Sequence, residues 1–532
     1  MIIVGQETSA VSAMNNMAIV LGKHPADRPA LAGEQFTITY GELRCQIVQA
    51  RAWLSALGLR SGERCAISLP NVPHMPVLYY AALSMGAVVV PLNPLLSARE
   101  VNFHVQDAGA TILVVWEGTR AAQEREHIEL SGEAFQIVGA SSKFGTVPAG
   151  HEPAHEHAVP EAEVKWSNIV EPVRDDDPAV ILYTSGTTGS PKGAVLTHAN
   201  IFSNTRLVVE FFNFTSDDVI FGGLPLFHAF GQTVSLNATM TVGAAVALLP
   251  RFTPQAAVGL CRQVGVTTLA AVPSMYSALA QFAQGHDVSD LKGTFGYGIS
   301  GGSPLPASTH QAIHDAFDCV ILEGYGLSET SPVVSFNQPN HGVVVGSSGQ
   351  PLAGINVQIR DENGEVVPTG EPGQLWVNGP NVMQGYWNNP EATQKAIQDD
   401  WFATGDVARQ DEDGNFFIVD RIKDMILRNG YSIYPREIED VVDQHRQVLH
   451  VAVVGVPNEL VDEEVLTYVV PHEPLNESEK KQLVKEIRAL CHDNLAAYKY
   501  PRRILVVDEM PLGPTGKILK RELVKSYLAE QN

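Results

Sequence analysis

The residues best suited to chemistry form a run of hydroxyls, glycines and one lysine, YTSGTTGSPKG, at positions 183–193. Glycines let backbone N–H groups approach an anion closely. The hydroxyls add donors, and Lys192 adds a positive charge. The run is not a Walker A loop, because Pro191 precedes the lysine and Gly193 follows it. Its position between two apolar strands predicts a loop that holds a polyphosphate, with a flexible linker as the alternative.

Two further motif matches fail because the chain around them has the wrong local structure. HEPAH at positions 151–155 matches the zinc motif HExxH, which needs both histidines on one continuous helix. Pro153 breaks a helix there, so we expect a solvated loop. GISGG at positions 298–302 matches the nucleophile elbow GxSxG, which leads directly into a helix. Here Pro304 and Pro306 follow, and they predict extended chain instead.

The overlapping run GYGISG at positions 296–301 matches the dinucleotide motif GxGxxG. Glu323 lies roughly 20 residues further on, where a ribose-binding acid could stand. No helix is expected to begin within the glycines, however. A dinucleotide fold is therefore the weaker alternative to a nucleotide pocket lined by backbone.

Composition places limits on the class of protein. The chain has 532 residues, which suggests about three to four structural units. Hydrophobic residues make up 45% of it and charged residues 18%, enough apolar material for buried cores. The 36 basic and 59 acidic residues give a net charge of −23. A general nucleic-acid binder needs a basic surface, so this charge argues against that class while allowing a local basic pocket.

Cysteine usage and charge patterning favour a cytoplasmic protein. The five cysteines lie far apart without a CxxC pair, which fits buried thiols in a reducing compartment. Residues 1–16 contain no Lys or Arg and so lack the basic region of a signal peptide. The uncharged segment 65–98 imitates a membrane span, but prolines interrupt it. It predicts a buried helix at 75–85, a stop at Gly86 and a buried strand at 87–90.

Strands and helices must position the candidate site residues, and they are predicted from β-branched runs that alternate with amphipathic stretches. Strands are expected at 111–115, 180–183, 244–249, 268–272 and 320–322, and helices at 254–264, 275–284 and 306–317. The alternation predicts α/β layers with mostly parallel, buried strands. Past about residue 352, strands and turns predict a small β-rich subdomain. A further change after Asp420 predicts a compact α+β tail, and hence domains at 1–420 and 421–532.

Taken together, five motifs resemble those of the adenylate-forming superfamily, which includes acyl-CoA synthetases, luciferases and peptide-synthetase adenylation domains. The first is the loop at positions 183–193. The others are GYGLSET at 324–330 (adenine and magnesium), TGD at 404–406 (ribose), DRIKD at 420–424 (interdomain hinge) and PTGK at 514–517 (catalytic lysine). They occur in the family's order, and the resemblance covers residues 39–523.

The resemblance implies a reaction in two halves. A carboxylate attacks the α-phosphorus of ATP to give an acyl-adenylate and pyrophosphate, and a thiol, usually that of coenzyme A, then displaces AMP. Such chemistry rests on positioning and charge stabilisation, without a protein nucleophile. The implied fold is α/β: a large N-terminal domain of packed subdomains, one of them β-rich, and a small mobile α+β C-terminal domain. That domain rotates to present a different face for each half-reaction.

The resemblance also assigns the nucleotide site. It implies that the β- and γ-phosphates are held by Thr184, Ser185, Gly186, Thr187, Thr188, Gly189 and Lys192. The adenine motif and its surroundings comprise Gly301, Gly302, Ser303, Glu323, Gly324, Tyr325, Gly326 and Ser328. Tyr325 is expected to stack on the base, Asp406 to accept both ribose hydroxyls, and Arg421 to contact ribose or phosphate. From spacing alone, the Thr-Gly-Asp run that ends at Asp406 is a turn.

The implied catalytic residues are Lys192, His228, Glu329 and Lys517. Glu329 and Thr184 are the expected Mg²⁺ ligands, because hard oxygens suit a hard cation. Lys517 stabilises charge on the carboxylate and the α-phosphate. Lys423 matches the hinge, and rotation would bring the coenzyme A residues Arg428, Gly430 and Tyr431 toward the pantetheine channel. In isolation these residues have ordinary interpretations, such as a structural histidine or a solvated charge.

The acid pocket is expected around LPLFHAFG at positions 224–231, where acyl- and aryl-CoA ligases have a histidine. The predicted lining is Phe227, His228, Val272, Pro273, Leu327, Pro332 and Val333. This lining is largely apolar and favours a neutral, hydrophobic carboxylic acid. Leu427 stands where aryl-CoA ligases and luciferases commonly have a lysine, so KDMIL at 423–427 looks more like fatty acyl-CoA synthetases.

The sequence therefore favours a medium- or long-chain fatty acyl-CoA synthetase that uses ATP, Mg²⁺ and coenzyme A. The alternatives are an aryl-acid (coumarate-like) CoA ligase, an acyl-AMP ligase that loads a carrier protein, and a non-catalytic nucleotide sensor that would not need Lys517. DEE at 462–464 departs from the family, where a glycine commonly precedes the glutamate. No nucleic-acid partner and no transmembrane segment are expected. Peripheral membrane contact and a homodimer are both compatible with the sequence.

Overall fold

The structure is a computed structural model that describes residues 11–130, 134–139, 165–184, 191–339, 342–428, 431–458, 461–513 and 517–531. Some predicted features lie outside these residues: the HExxH match at 151–155, Ser185, Gly186, Thr187, Thr188, Gly189 and Gly430. For Tyr431 only the backbone is described.

The strands of the large N-terminal part alternate with helices in its first 330 residues. In chain order they begin with β1 Pro29–Gly33, β2 Phe36–Thr39, β3 Arg64–Ser68, β4 Val88–Pro91, β5 Ile112–Trp116, β6 Ala134–Val138, β7 Pro178–Thr184, β8 Lys192–Thr197, β9 Val219–Gly222, β10 Ala245–Leu248, β11 Thr268–Ala271, β12 Tyr297–Ser300 and β13 Ile321–Gly326. The strands of the rest of the chain, the C-terminal part included, are β14 Val333–Phe336, β15 Gln350–Pro351, β16 Asn356–Arg360, β17 Gly373–Asn378, β18 Gly385–Tyr386, β19 Ile397–Gln398, β20 Trp401–Gln410, β21 Phe416–Arg421, β22 Ile426–Arg428, β23 Tyr431–Ile433, β24 Val448–Asn458, β25 Asp462–Pro471 and β26 Arg503–Val506.

The α-helices are α1 Tyr40–Ala56, α2 His74–Ser84, α3 Ala98–Ala108, α4 Arg120–Gln123, α5 His198–Phe212, α6 Ala238–Val242, α7 Pro254–Val264, α8 Pro273–Gly285, α9 Ala307–Phe317, α10 Pro390–Ala396, α11 Pro435–Val442, α12 Glu477–Asn494 and α13 Lys520–Gln531. Local sequence explains where several of them begin. Thr39 and Glu42 form a capping box at α1, and Thr253 caps α7 ahead of Pro254. Within the described residues, none of the helices combines the length and apolar character needed to cross a membrane.

Two mostly parallel sheets form the body of the large domain. Among the described residues, nine strands form one sheet in the order β15-β14-β13-β12-β11-β9-β10-β1-β2, and seven form the other in the order β18-β8-β7-β4-β3-β5-β6. Parallel pairing runs from β13 to β1 in the first sheet and from β7 to β6 in the second. Antiparallel strands lie only toward the sheet edges.

A shared core joins the two sheets. One apolar cluster contains α1 and α2 together with residues of both sheets, among them Leu31, Val246, Ile67 and Val180. α2 is buried almost throughout, which explains the uncharged segment noted in the sequence. α7, α8 and α9 cover the other face of the nine-stranded sheet. The large sheets are thus buried on both faces, which the near-continuous hydrophobic strands require.

The remaining strands form two smaller sheets. β16, β17, β19, β20 and β21 pair antiparallel in the predicted β-rich subdomain. β22 to β26 form a separate sheet, with α11 and α12 packed on one apolar cluster and α13 on another. The α/β fold with a large N-terminal and a small α+β C-terminal domain, predicted from the sequence, is confirmed by this arrangement.

Candidate functional site

The phosphate-loop run begins at the end of β7 and ends at the start of β8, and its residues 185–190 lie outside the described part of the chain. Thr184 and Lys192 are register partners in this antiparallel pair, so the two ends of the loop lie side by side. The chain continues directly from Lys192 as a strand. The two predicted flanking strands are therefore present, and Lys192 begins a strand where the lysine of a Walker A loop would lead into a helix.

Glu329 lies next to the first residue of this loop. Its Oε1 accepts hydrogen bonds from the Thr184 hydroxyl at 3.2 Å and from the Tyr386 hydroxyl at 3.1 Å. The ammonium of Lys192 lies 5.2 Å from the centre of the Tyr386 ring. Tyr386 thus links two predicted site residues. Tyr386 is not among the residues predicted from the sequence, because YW at 386–387 belongs to none of the motifs.

These residues fit a magnesium ion that is shared with a polyphosphate. Within the part of the chain that the structure describes, no group of three His, Cys, Asp or Glu side chains could hold a metal. Glu329, only 9% exposed, therefore supplies a single carboxylate beside the Thr184 hydroxyl. Mg²⁺ is usually bound in this way, by one or two carboxylates together with phosphate oxygens and water.

The glycines of the adenine region have two different structural roles. An added Cβ at Gly326 would lie 2.1 Å from the Pro332 carbonyl oxygen, and one at Gly324 would lie 2.3 Å from the Phe336 ring. These glycines are needed for packing between β13 and β14. By contrast, a Cβ at Gly302 would have Val272 at 3.9 Å as its nearest neighbour. The space over the backbone there is open, as a bound nucleotide requires.

The Thr-Gly-Asp run forms a bulge inside a long strand. β20 runs from Trp401 to Gln410, and the turn expected from spacing alone is wrong. Gln374 of β17 pairs with Val407, whereas Trp376, two residues on, pairs with Ala403. The extra residues are accommodated by Gly405, at φ 75°. A bulge can redirect a side chain without ending the strand, and here it leads to Asp406.

Asp406 connects the adenine motif to the hinge. Its Oδ2 accepts a 2.5 Å hydrogen bond from the Tyr325 hydroxyl, and its Oδ1 lies 3.0 Å from Nε of Arg421. The carboxylate is 3% exposed, so the pair is well shielded. Burial lowers the pKa of Arg421, but Asp406 and neighbouring oxygens outweigh this and raise it overall. Asp406 and Arg421 thus form a fixed anion–cation pair.

Lys517 of the C-terminal domain lies in the field of this pair. Its pKa is lowered to about 8, first by partial desolvation and then by the nearby Arg421 guanidinium, while Asp406 and Asp424 oppose the change. The residue keeps substantial solvent exposure, so the ammonium lies in a crowded but open cleft. Lys423 lies in the same group, and desolvation together with Arg421 lowers its pKa as well. The structure therefore brings residues 406, 421, 423 and 517 together.

Glu323 is buried at the border between the two domains. Its Oε1 accepts a hydrogen bond from the Leu305 N–H at 3.3 Å. Burial raises its pKa to about 7, while Arg436 of the C-terminal domain partly offsets this. Its carboxyl group therefore interacts with a loop N–H and with the other domain, in addition to any contact with an adenine ring.

The predicted acid-pocket residues divide between two apolar clusters. Val272 and Val333 belong to one cluster with Phe230, and Leu327 packs against the cluster of α1 and α2. Pro273 and Pro332 are buried, and Phe227 is partly buried. A cleft of about 740 Å³ near β1 and β2 includes none of these residues.

His228 is a neutral imidazole in this environment. Burial lowers its pKa to about 4. Its Nδ1 lies 3.4 Å from the Phe230 N–H and accepts from it, so Nε2 carries the proton. A neutral histidine can donate a hydrogen bond from Nε2–H to an oxyanion without adding a positive charge to the site.

Arg428 is the predicted coenzyme A residue whose side chain the structure describes, and its contacts are within the C-terminal domain. Arg428 is 7% exposed, donates to the Tyr498 carbonyl at 3.1 Å and pairs with Glu464 at 3.3 Å. In the present arrangement its guanidinium is therefore buried against Tyr498 and Glu464 of the C-terminal domain. The domain orientation seen here directs Lys517, and not Arg428, toward Asp406.

Comparison with known proteins agrees with this layout. The chain matches two families, "AMP-binding enzyme" over residues 19–387 and "AMP-binding enzyme C-terminal domain" over residues 437–517. It is 33% identical over 524 residues to a long-chain-fatty-acid–CoA ligase of Yersinia pestis, covering 94% of this chain and 91% of that protein. It is 34% identical over 493 residues to a feruloyl-CoA synthase of Amycolatopsis sp, covering 92% and 94%.

Solved structures with the same architecture include nucleotide complexes. ATP-bound MatB from Rhodopseudomonas palustris has a TM-score of 0.84 and 30% identity, covering 97% of this chain and 100% of that one. O-succinylbenzoate coenzyme A synthetase from Bacillus subtilis, in complex with ATP and magnesium, has a TM-score of 0.80 and 26% identity, with coverages of 97% and 100%.

Proposed function

The chain belongs to the AMP-binding enzyme family of acid–thiol ligases, and from that premise we propose that it makes acyl-CoA from a hydrophobic carboxylic acid. The first substrate class we propose is medium- or long-chain fatty acids, with ATP and coenzyme A as co-substrates and Mg²⁺ as the metal. The enzyme acts in the cytoplasm, and its domains divide at residues 420 and 421.

The observation that carries this proposal is the position of Lys517 in the field of Asp406 and Arg421. Residues 406 and 517 come from different proposed domains and lie close enough in this arrangement for their charges to interact. A ribose-binding carboxylate and a mobile cation in one cleft are suited to holding a nucleotide while its α-phosphate reacts. A non-catalytic nucleotide sensor would not need the mobile cation, Lys517.

In the first half-reaction, a carboxylate oxygen of the acid attacks the α-phosphorus. The new O–P bond forms as the bond to the pyrophosphate oxygen breaks, and pyrophosphate leaves with the electron pair. Lys517 offsets the charge that builds up on the carboxylate and α-phosphate oxygens, and Lys192 offsets that on the pyrophosphate. Glu329 and Thr184 hold the magnesium ion, which supplies charge neutralisation for the phosphates.

His228 contributes as a hydrogen-bond donor in this step. With its pKa lowered to about 4, it is uncharged at neutral pH. Its Nε2–H is therefore available to the oxyanion of the acid or of the α-phosphate. This role agrees with the protonation pattern set by the Phe230 N–H.

In the second half-reaction, the thiol sulfur of coenzyme A attacks the acyl carbon. The C–S bond forms, the bond from acyl carbon to the AMP phosphate oxygen breaks, and the thiol proton passes to solvent. We propose that rotation about Lys423 presents Arg428, Gly430 and Tyr431 to coenzyme A for this step. Arg428 and Glu464 would move together in this rotation, and a contact of Arg428 with coenzyme A would compete with their ion pair.

The substrate class is supported by the apolar character of the predicted pocket. Val272 and Val333 are buried with Phe230, and the only ionisable group of the predicted lining, His228, is neutral. Leu427 supports an alkyl over an aryl acid, as argued from the sequence. The similarity to a feruloyl-CoA synthase, as strong as that to a fatty-acid ligase, makes an aryl acid the second candidate.

A panel of acids distinguishes these candidates. AMP release would be measured with purified enzyme, ATP, Mg²⁺ and coenzyme A, across saturated acids of increasing length and across cinnamates. We expect the largest kcat/KM for a medium or long saturated acid. A preference for ferulate or coumarate would replace the fatty-acid assignment. Release of pyrophosphate with formation of acyl-adenylate but of no thioester, even when coenzyme A is present, would favour an acyl-AMP ligase acting on a carrier protein.

A further inference from the structure

Arg436 connects the C-terminal domain to the large domain at two points. Its backbone N–H donates to Oδ2 of Asp420 at 3.0 Å, and its guanidinium donates to the carbonyl oxygen of Ile418. Both acceptors lie on β21, which pairs with β20 next to Asp406. The side chain of Arg436 is only 15% exposed. It is therefore enclosed between the domains and does not extend into solvent.

The first of these contacts completes helix α11. Tyr434, the residue at the N-cap, makes no capping hydrogen bond with its own side chain. The first N–H groups of a helix need an acceptor, and a carboxylate is favoured there by the helix dipole. Asp420 supplies it from outside the helix. The start of α11 is thus capped by a residue of the strand that precedes the hinge.

The other end of this connection leads to Lys517. Glu439, one turn along α11, pairs with Lys520 at 2.7 Å, and the same oxygen accepts from the Val453 N–H at 2.7 Å. Lys520 is the first residue of α13 and follows Lys517 by three positions. α11 therefore contacts β21 of the large domain through Arg436 and the first residue of α13 through Glu439.

We propose that Arg436 is a positioning residue that holds the C-terminal domain in the orientation presenting Lys517 to Asp406 and Arg421. It would act through Lys517 and would not contact the substrates. This inference rests on the proposed function, because it assigns Arg436 to the adenylation half-reaction. It also makes a separate statement about domain geometry that does not depend on the substrate.

The charges around Arg436 agree with this position. Asp440 lies 3.8 Å from its Nε on the same helix, and Arg436 lowers the pKa of the buried Glu323 in the large domain against the stronger effect of burial. Asp420 also faces Lys520. Removal of the guanidinium would leave the buried Glu323 with less positive charge near it and would break the bond to the Ile418 carbonyl, so the closed arrangement would be less favourable.

The kinetic test compares the two half-reactions in Arg436→Met. Methionine keeps an unbranched side chain but loses the charge and the bond to Ile418. We expect kcat of acid-dependent ATP–pyrophosphate exchange to fall by roughly 10- to 100-fold, with KM for ATP changed by less than about 3-fold. Thioester formation from supplied acyl-adenylate and coenzyme A should stay within about 2-fold of the wild type. Arg436→Lys should restore part of the exchange rate.

Arg446→Met is the matched control, because Arg446 is an exposed arginine of the same domain. It should leave both half-reactions unchanged. Equal losses in both half-reactions of Arg436→Met would indicate a general structural role and overturn the inference, as would exchange at the wild-type rate. Thermal unfolding of each variant identifies a failure to fold, in which case Arg436→Lys supplies the comparison.

A second measurement does not use catalysis. Limited trypsin digestion, followed by mass spectrometry, would measure cleavage after Arg421 and Lys423. If Arg436 holds the domains together, this cleavage should be at least about 5-fold faster in Arg436→Met than in the wild type or in Arg446→Met. Unchanged cleavage would contradict the inference. Absence of acid-dependent exchange in the wild type would instead contradict the proposed function and leave the digestion result to decide the role of Arg436.

Discussion

The hydroxyl of Tyr325 donates to Oδ2 of Asp406 at 2.5 Å, although the two residues are 81 positions apart in the chain. Burial and the adjacent carboxylate raise the pKa of Tyr325 well above its usual value, so it remains a hydroxyl donor. Arg421 occupies the other oxygen of the carboxylate. Each carboxylate oxygen can still accept a hydrogen bond from a ribose hydroxyl. The contacts with Tyr325 and Arg421 therefore orient Asp406 and leave it able to bind ribose.

Tyr325→Phe is therefore expected to weaken nucleotide binding without abolishing the reaction. The loss of one hydrogen bond to a charged group corresponds to about 1.5–3 kcal/mol, or a rise in KM for ATP of roughly 10- to 150-fold. Steady-state kinetics with ATP varied would measure it. Asp406→Ala should raise KM further. If Tyr325→Phe had the wild-type KM for ATP, the aromatic ring of Tyr325 and not its hydroxyl would be responsible for its contribution to nucleotide binding.

Lys517→Ala should lower acid-dependent ATP–pyrophosphate exchange by roughly 10²- to 10³-fold, because one charge-stabilising group is lost from the transition state. Lys525→Ala is a suitable control, since Lys525 is a largely exposed lysine of the same domain. Full ATP–pyrophosphate exchange in Lys517→Ala would contradict the proposed role of Lys517 in adenylation.

The pH dependence of exchange should report the same lysine. The pKa of Lys517 is lowered to about 8, and the protonated form is the active one. Activity should therefore be retained below pH 8 and decline as pH rises through that value, with one proton lost. In Lys517→Arg, which stays charged, this decline should disappear. An unchanged alkaline limb in that variant would assign it to another group.

Glu329→Gln should raise the Mg²⁺ concentration needed for half-maximal exchange by at least about 10-fold, because a neutral amide is a poorer ligand for a hard cation. Tyr386→Phe removes one hydrogen bond to the same carboxylate and should have a smaller effect. Titration with Mg²⁺, including addition of EDTA to remove it, would measure both. An identical Mg²⁺ requirement in all three proteins would exclude Glu329 as a ligand.

Glu323 should make the protein less stable as pH rises. Its pKa is 4.5 in the unfolded chain and about 7 in the folded protein, so the folded state binds the proton more tightly. Stability should thus be greatest below about pH 4.5, fall as pH rises to about 7, and be constant above that, as far as this group is concerned. The full difference corresponds to roughly 3 kcal/mol.

Glu323→Gln keeps an acceptor for the Leu305 N–H but cannot ionise. It should therefore raise Tm at pH 8 and have little effect at pH 5. Thermal unfolding at the two pH values would measure the difference. An equal change in Tm at pH 5 and at pH 8 would show that ionisation of Glu323 does not affect stability.

Two glycine substitutions should separate packing from binding. In Gly326→Ala the new Cβ would lie 2.1 Å from the Pro332 carbonyl oxygen, and we expect a loss of stability of at least about 2 kcal/mol. In Gly301→Ala the nearest atom is in the Phe230 ring at 3.4 Å, an ordinary contact, so Tm should change little while KM for ATP or the acid rises. Denaturation and kinetics of the pair would test this contrast.

Several features were determined by the sequence alone. The α/β class and the succession of strands and helices follow from hydrophobic periodicity, which is a local property. The loop at 183–193 was recognisable because its glycines and hydroxyls lie directly between two apolar strands. The order of five motifs identified the family, and the matches over residues 19–387 and 437–517 confirm it.

Tertiary structure decided which of these residues meet and in what state. Tyr386 reaches Glu329, and Asp420 caps α11, through contacts between residues that carry no motif in common. The bulge at Gly405 depends on how β20 pairs with β17, so spacing alone predicted a turn. The pKa values of Lys517 and Glu323 depend on burial and on charges from the other domain. Such contacts and fields exist only after distant parts of the chain have packed together, so no local pattern of residues can specify them.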